Sequence, residues 1–165
     1  MTRSGLVLSA TLAAAAAMLP AGAASALDDA QRQGNVYDHS FAQTQYLHHC
    51  SGCHLPDGEG VHHRGIPPFS GVVGKFLQHP RGREFLINVG GMRNGALDTR
   101  QRAAVLNYII EAWGGDDVPA DFRPFDEAEI EASFAAWRGD GPKLREQIRA
   151  ELGALGVDIA PLRSE

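Results

Sequence analysis

Between residues 98 and 114 apolar side chains recur at three- and four-residue steps, with Val105, Leu106, Ile109, Ile110 and Trp113 on one broad face. That period predicts an amphipathic helix with one side buried. Asp98 stands where its N-cap belongs, Gln101 at the reciprocal capping-box position, and Gly114 just past its end. A second helix is predicted upstream, where Ala42, Tyr46 and Cys50 repeat every four residues. Asp38 or Ser40 can cap it, Gln43 forms a capping-box pattern with Ser40, and order is expected to begin near Tyr37. Across residues 55–85 neither helical nor strand period survives. "LPDGEGV", "RGIPPFSGVVGKF" and "HPRGREF" place Gly or Pro every few residues, so turns dominate, with one short helix expected within 82–89. A loop this long inside a compact domain needs something to fill its interior, and a large apolar cofactor does so. Two further helices are predicted at 126–137, with Glu129 completing a capping box, and at 142–152, with Pro142 in the first turn. The fold class expected is all-α.

The ends of the chain add a compartment and an appendage. Arg3, an apolar Ala-rich run over 6–19 and the small residues Ala24, Ser25 and Ala26 read as a secretory signal peptide. That run is short for a membrane span, and no later stretch approaches the length needed. The leader carries neither a cysteine for lipid attachment nor a twin arginine. The mature chain is therefore expected to be exported, periplasmic or otherwise outside the cytoplasm, soluble, and without a membrane span. Residues 1–26 are the signal peptide, 27–36 a polar flexible segment, 37–115 the main domain and 116–165 a helical C-terminal extension. The extension follows the linker-like "GGDDVPADFRPF", and its Leu144, Ile148 and Leu152 are too few for a core of its own.

Charge removes one class of partner. Fifteen basic residues face twenty acidic ones, and the leader holds only Arg3, so the mature chain carries a formal charge of −6. Nucleic acid is not an expected partner, since a phosphate backbone demands excess Lys and Arg. Cationic or mixed-charge protein surfaces suit it better. The chain has two cysteines, Cys50 and Cys53, too close in sequence to staple distant segments, so they serve chemistry.

That chemistry is concentrated in "HHCSGCHLPDGEGVHH", residues 48–63. Cys50-Ser51-Gly52-Cys53-His54 is a Cys-x-x-Cys-His motif. Two thiols so spaced can form thioethers to the two vinyl groups on one edge of a haem, and the following imidazole is then held beneath the iron. A zinc site drawn from these cysteines and His48, His49, His54, His62 or His63 lacks a second ligand pair at finger-like spacing. A thioredoxin-like dithiol wants a preceding strand, whereas a helix leads into this motif. Export and motif together favour one covalently attached haem c. His48, His49, His62 and His63 are then solvated loop or helix-end residues.

With these residues in place the chain resembles class I cytochromes c over residues 37–113. Their pattern runs from Cys-x-x-Cys-His through a loop of the form Gly-Pro-x-Leu-x-Gly-x-x-Gly-Arg to a methionine loop and a last amphipathic helix. "PPFSGVVGK" matches the middle segment, with Phe69 for the Leu and Gly71 and Gly74 as spacers. The resemblance implies a cytochrome c-like haem domain in which the Pro67 carbonyl orients the axial His54. It makes Met92, the one methionine outside the leader, the distal iron ligand, with His79 or His62 as substitutes. "GGMRNGA" departs from the family in lacking the proline that commonly follows that methionine. Arg81 and Arg83, with Lys75 and Arg93, are candidates for neutralising the haem propionates. The first helix is expected to cross the last, Ala42 and Tyr46 packing on Tyr108, Ile109 and Trp113. The function so implied is a single-haem electron carrier between redox proteins such as a dehydrogenase, reductase or oxidase, not an enzyme. Two other readings stay open: a haem enzyme or small-ligand binder using His62, His63 or Arg93 at an open distal site, and a permanent cytochrome subunit of a dehydrogenase.

Overall fold

Single-turn helices and glycine turns alternate through the middle of the chain, and longer helices at either end hold them. The structure, a computed structural model, describes residues 39–162. The expected signal peptide, the segment 27–36, the onset of order expected near Tyr37 and the cap expected at Asp38 lie outside the described residues. In chain order the helices are α1 (His39–His49), α2 (Ser51–His54), α3 (Val73–Phe76), α4 (Gly82–Asn88), α5 (Gly90–Asn94), α6 (Thr99–Trp113), α7 (Glu127–Ala136) and α8 (Gly141–Ala154). Among the described residues there is no strand, only an isolated bridge between Val61 and Ile66. All-α is therefore the observed class.

α6 begins as its sequence dictates. Asp98 Oδ1 accepts from the Gln101 backbone N–H at 2.7 Å, and Gln101 Oε1 accepts from the Asp98 N–H at 2.8 Å, closing both halves of the capping box. Its apolar stripe buries Val105, Leu106, Ile109 and Ile110. α1 crosses it through Ala42 and Tyr46, both fully buried, with the Tyr46 ring 5.4 Å from Tyr108 and 5.0 Å from Trp113. Gln101 also reaches across to Gln45 at 2.9 Å, so the cap of one helix is tied to the flank of the other. Ser40 lies inside α1 rather than at its cap, because the helix already includes His39.

The short helices were legible only in part. α4 falls within the expected 82–89, but α3 and α5, of four and five residues, show no period for a sequence reading to detect. α3 and α4 pack through Phe76 and Phe85, 4.5 Å between ring centres. Gly82 permits that approach, since a Cβ there would fall 1.7 Å from the Phe76 carbonyl oxygen.

α7 and α8 pack onto the same apolar core as α4 and α6. Ile130 of α7 and Ile148 of α8 are fully buried. Asp126 caps α7 through the Glu129 N–H at 2.8 Å, but the reciprocal half of that expected capping box does not form. The Glu129 carboxylate instead takes Arg83 in a two-pronged ion pair at 2.7 and 2.5 Å. Arg83 also donates to the Arg123 carbonyl and lies 3.9 Å over the Phe125 ring, so one guanidinium ties α4 to the segment entering α7. Asn107 pairs with both the N–H and the carbonyl of Phe125. At the far end His79 meets Glu151 of α8 at 2.8 Å. Its Nδ1 accepts the Arg81 N–H, which leaves the proton on Nε2 to donate to the carboxylate.

Truncating the buried face of α8 tests its place in the core. Ile148→Ala is expected to lower unfolding free energy by about 3 kcal/mol, read as a lower denaturant midpoint at unchanged slope. A loss below about 0.5 kcal/mol, the level of ordinary surface changes, contradicts it.

Candidate haem site

Cys50 ends α1: its N–H donates to the Tyr46 carbonyl, and its own carbonyl then accepts from both Cys53 and His54, which closes the turn α2. The motif is thus wound directly onto the end of a helix whose Tyr46 is locked in the core. Leu55, next after His54, has φ 63° and ψ 160°, a conformation costly to any residue with a Cβ. It is held there by the Tyr46 hydroxyl, which donates to the Leu55 carbonyl at 2.5 Å, and by the Gly58 N–H at 3.2 Å. Gly60 donates to the His54 carbonyl, and with φ +69° it lies so close to Pro67 that a Cβ would fall 2.4 Å from the Pro67 oxygen. Tight backbone on both sides therefore frames His54.

The His54 ring stacks on Phe69, 4.2 Å between centres and 17° between planes, and Phe69 lies against Trp113 at 5.4 Å. Rings thus run continuously from the motif to the end of α6 and back through Tyr46 to α1. Burial lowers the His54 pKa, and the Pro67 carbonyl acts against that shift. The carbonyl falls short of a full hydrogen bond, since His54 Nδ1 is buried without a partner. Burial, with Cys53 beside it, pushes the Cys50 thiol up to about 11. A redox dithiol needs the opposite shift. Among the described residues no three His, Cys, Asp or Glu side chains converge as a metal site, which removes the zinc alternative there.

Cys50, Cys53, His54, Pro67 and Met92 all line one cavity of about 460 Å³. The volume lies within the roughly 300–1,000 Å³ of cofactor pockets. Val73, Phe76, Phe85, Leu86, Leu106 and Ile109 make most of its wall apolar. Met92 is buried, and its backbone is gripped by Arg102 of α6, whose Nε donates to the Met92 carbonyl at 2.7 Å. Two thiols, an imidazole and a thioether, set in an apolar cavity, are a donor set that fits a haem.

Other expected residues sit elsewhere. Arg81 pairs with Glu84, Arg83 with Glu129, and neither lines the cavity. His79 is committed to Glu151 and the Arg81 N–H, while His62, His63 and Arg93 also lie outside the lining. His49 at the end of α1 does line it, as does Arg145 of α8, a buried guanidinium that the sequence pattern does not single out. It donates to Glu146 and to the Ala160 carbonyl, both at 3.0 Å. Burial pulls its pKa below the usual arginine value, with Glu146 opposing. Its only signal in the sequence was a charge directly after Leu144 on an apolar stripe, which a solvated side chain gives equally well.

No protein-family profile matches the chain. It is 34% identical over 127 residues to cytochrome c-552 of Thermus thermophilus, across 66% of this chain and 92% of that relative. A cytochrome c-552 from a designated strain of the same species is also 34% identical over 127 residues, with 81% of its length covered. A likeness of that extent accords with an all-helical fold in which the helix before the cysteines crosses the long helix after Met92. The chain belongs to the class I cytochrome c family.

Proposed function

We propose that the chain is an exported, periplasmic single-haem electron carrier, with its haem bonded to Cys50 and Cys53 and its iron ligated by His54 and Met92. The observation that carries the proposal is the meeting of those four side chains in one apolar cavity. A bound haem supplies the one-electron Fe(III)/Fe(II) couple. The chain's own residues supply the setting. Cys50 and Cys53 fix the cofactor at the end of α1, so it is not lost outside the cell. Phe69 and the Gly60–Pro67 contact hold the His54 ring, and Met92 offers a soft thioether that favours ferrous iron.

Arg145 takes the role that the resemblance suggested for Arg81 and Arg83. A buried guanidinium beside an apolar cavity is placed to meet propionate charge, and Glu146 fills only part of its hydrogen-bonding fork. Cys53, Leu47 and Leu55 are exposed around the motif, which suits brief contact with donor and acceptor proteins. Export is supported by the pattern of residues 1–26.

In the ferric holoprotein a sulfur-to-iron charge-transfer band is expected in absorption and magnetic circular dichroism. Met92→Ala abolishes it, lowers the reduction potential and opens the ferrous protein to carbon monoxide. A ferric spectrum lacking the band before any substitution contradicts Met92 as ligand. Arg145→Gln is expected to lower the potential by up to about 59 mV, tenfold in a one-electron equilibrium, and to steepen its pH dependence. An unchanged potential removes Arg145 from the haem's electrostatics.

A further inference from the structure

Met92 sits in α5, a five-residue helix with no side-chain N-cap. One isolated turn does not hold itself, because nucleation costs more than a single turn returns. Its position therefore depends on groups outside it. Arg102 of α6 is the first: it satisfies the Met92 carbonyl that the end of α5 leaves open and donates also to the carbonyls of Gly95, at 2.8 Å, and Leu97 in the segment that follows. Arg93, a residue of α5 itself, makes the second tie by reaching outward. It occupies the place after Met92 where the family commonly carries proline, and it donates to Asn88 Oδ1 at 2.7 Å.

Both guanidiniums converge on one residue of α7. The Arg93 Cζ lies 4.7 Å, and the Arg102 Cζ 5.1 Å, from the centre of the Phe134 ring. Asn88, buried between α4 and α7, also donates to Ser133 Oγ at 2.8 Å and to the Glu84 carbonyl at 2.8 Å. A path of direct contacts thus runs from Ser133 and Phe134 through Asn88, Arg93 and Arg102 to the backbone of Met92. An aromatic face beside a partly desolvated guanidinium is attractive and restricts where the planar group can lie.

We propose that Phe134, with Ser133, is a positioning residue for the sixth iron ligand: α7 holds the Met92 segment by fixing the two arginines that grip it. This rests on the reading of Met92 as ligand. α7 then sets how firmly the distal position stays closed. Losing the Phe134 contact frees the methionine from the metal without touching the cavity wall, since neither Ser133 nor Phe134 lines the cavity.

The test uses the full-length holoprotein carrying Phe134→Leu, which keeps an apolar side chain but removes the π face, and Phe134→Tyr, which restores it. Ile130→Ala, a fully buried position on the same helix, serves as the stability control. Band intensity, reduction potential, carbon monoxide affinity of the ferrous form and denaturant midpoint are measured for each. F134L is expected to weaken the sulfur-to-iron band, lower the potential and raise carbon monoxide affinity about tenfold, with F134Y close to the unsubstituted protein. I130A is expected to lower the midpoint and leave the other three readouts in place. The proposal is overturned if F134L keeps the band, potential and affinity, or if I130A changes them as much as F134L does. A band absent from the unsubstituted protein overturns the Met92 reading and this proposal with it.

Discussion

Everything in the site depends on the end of α1 being immovable. Cys50, Cys53 and His54 are wound onto the last turn of that helix, and the helix is fixed by Tyr46, which is fully buried against Tyr108 and Trp113 of α6. The Tyr46 hydroxyl then reaches past the motif to hold the Leu55 carbonyl, in a backbone conformation that a non-glycine residue does not adopt unaided. A single side chain thus joins the helix crossing to the geometry of the putting-in-place of the imidazole. Loss of the crossing would free the thiols from each other's register and His54 from Phe69.

The distal side is built by a different device. α5 is too short to be stable by itself; Arg102 secures it from α6, and its own Arg93 reaches Asn88 of α4 and Phe134 of α7. Proximal rigidity comes from apolar contact and backbone turns, distal rigidity from guanidinium forks on carbonyls and an aromatic face. The chemistry that each side needs explains the contrast. In the proposed ligation His54 keeps one orientation under a fixed cofactor, whereas the Met92 thioether is a soft ligand whose hold on a metal depends on how little its backbone moves. The C-terminal helices therefore bear on the site in two ways, through Phe134 beneath the arginines of the methionine segment and through Arg145 in the cavity wall.

The long helices were legible because their burial is periodic: the α6 stripe and the Asp98 cap appear in the structure as the sequence pattern requires. The Cys-x-x-Cys-His motif was legible because its spacing carries its chemistry. α3 and α5 were not, since one turn of helix contains no period and owes its existence to tertiary contacts. Charged side chains were the hardest to place. Arg81, Arg83 and Arg145 look alike in sequence, and only packing shows that Glu84 and Glu129 engage the first two while the third faces the cavity. The same holds for Glu129, whose capping role was displaced by a stronger, two-pronged partner.

The most direct measurement is the mass of the denatured, proteolysed protein after expression in a host that matures c-type cytochromes. One haem is predicted to stay bonded, through acid-acetone extraction, to a peptide containing Cys50 and Cys53. A colourless protein with both thiols free contradicts the account at its root.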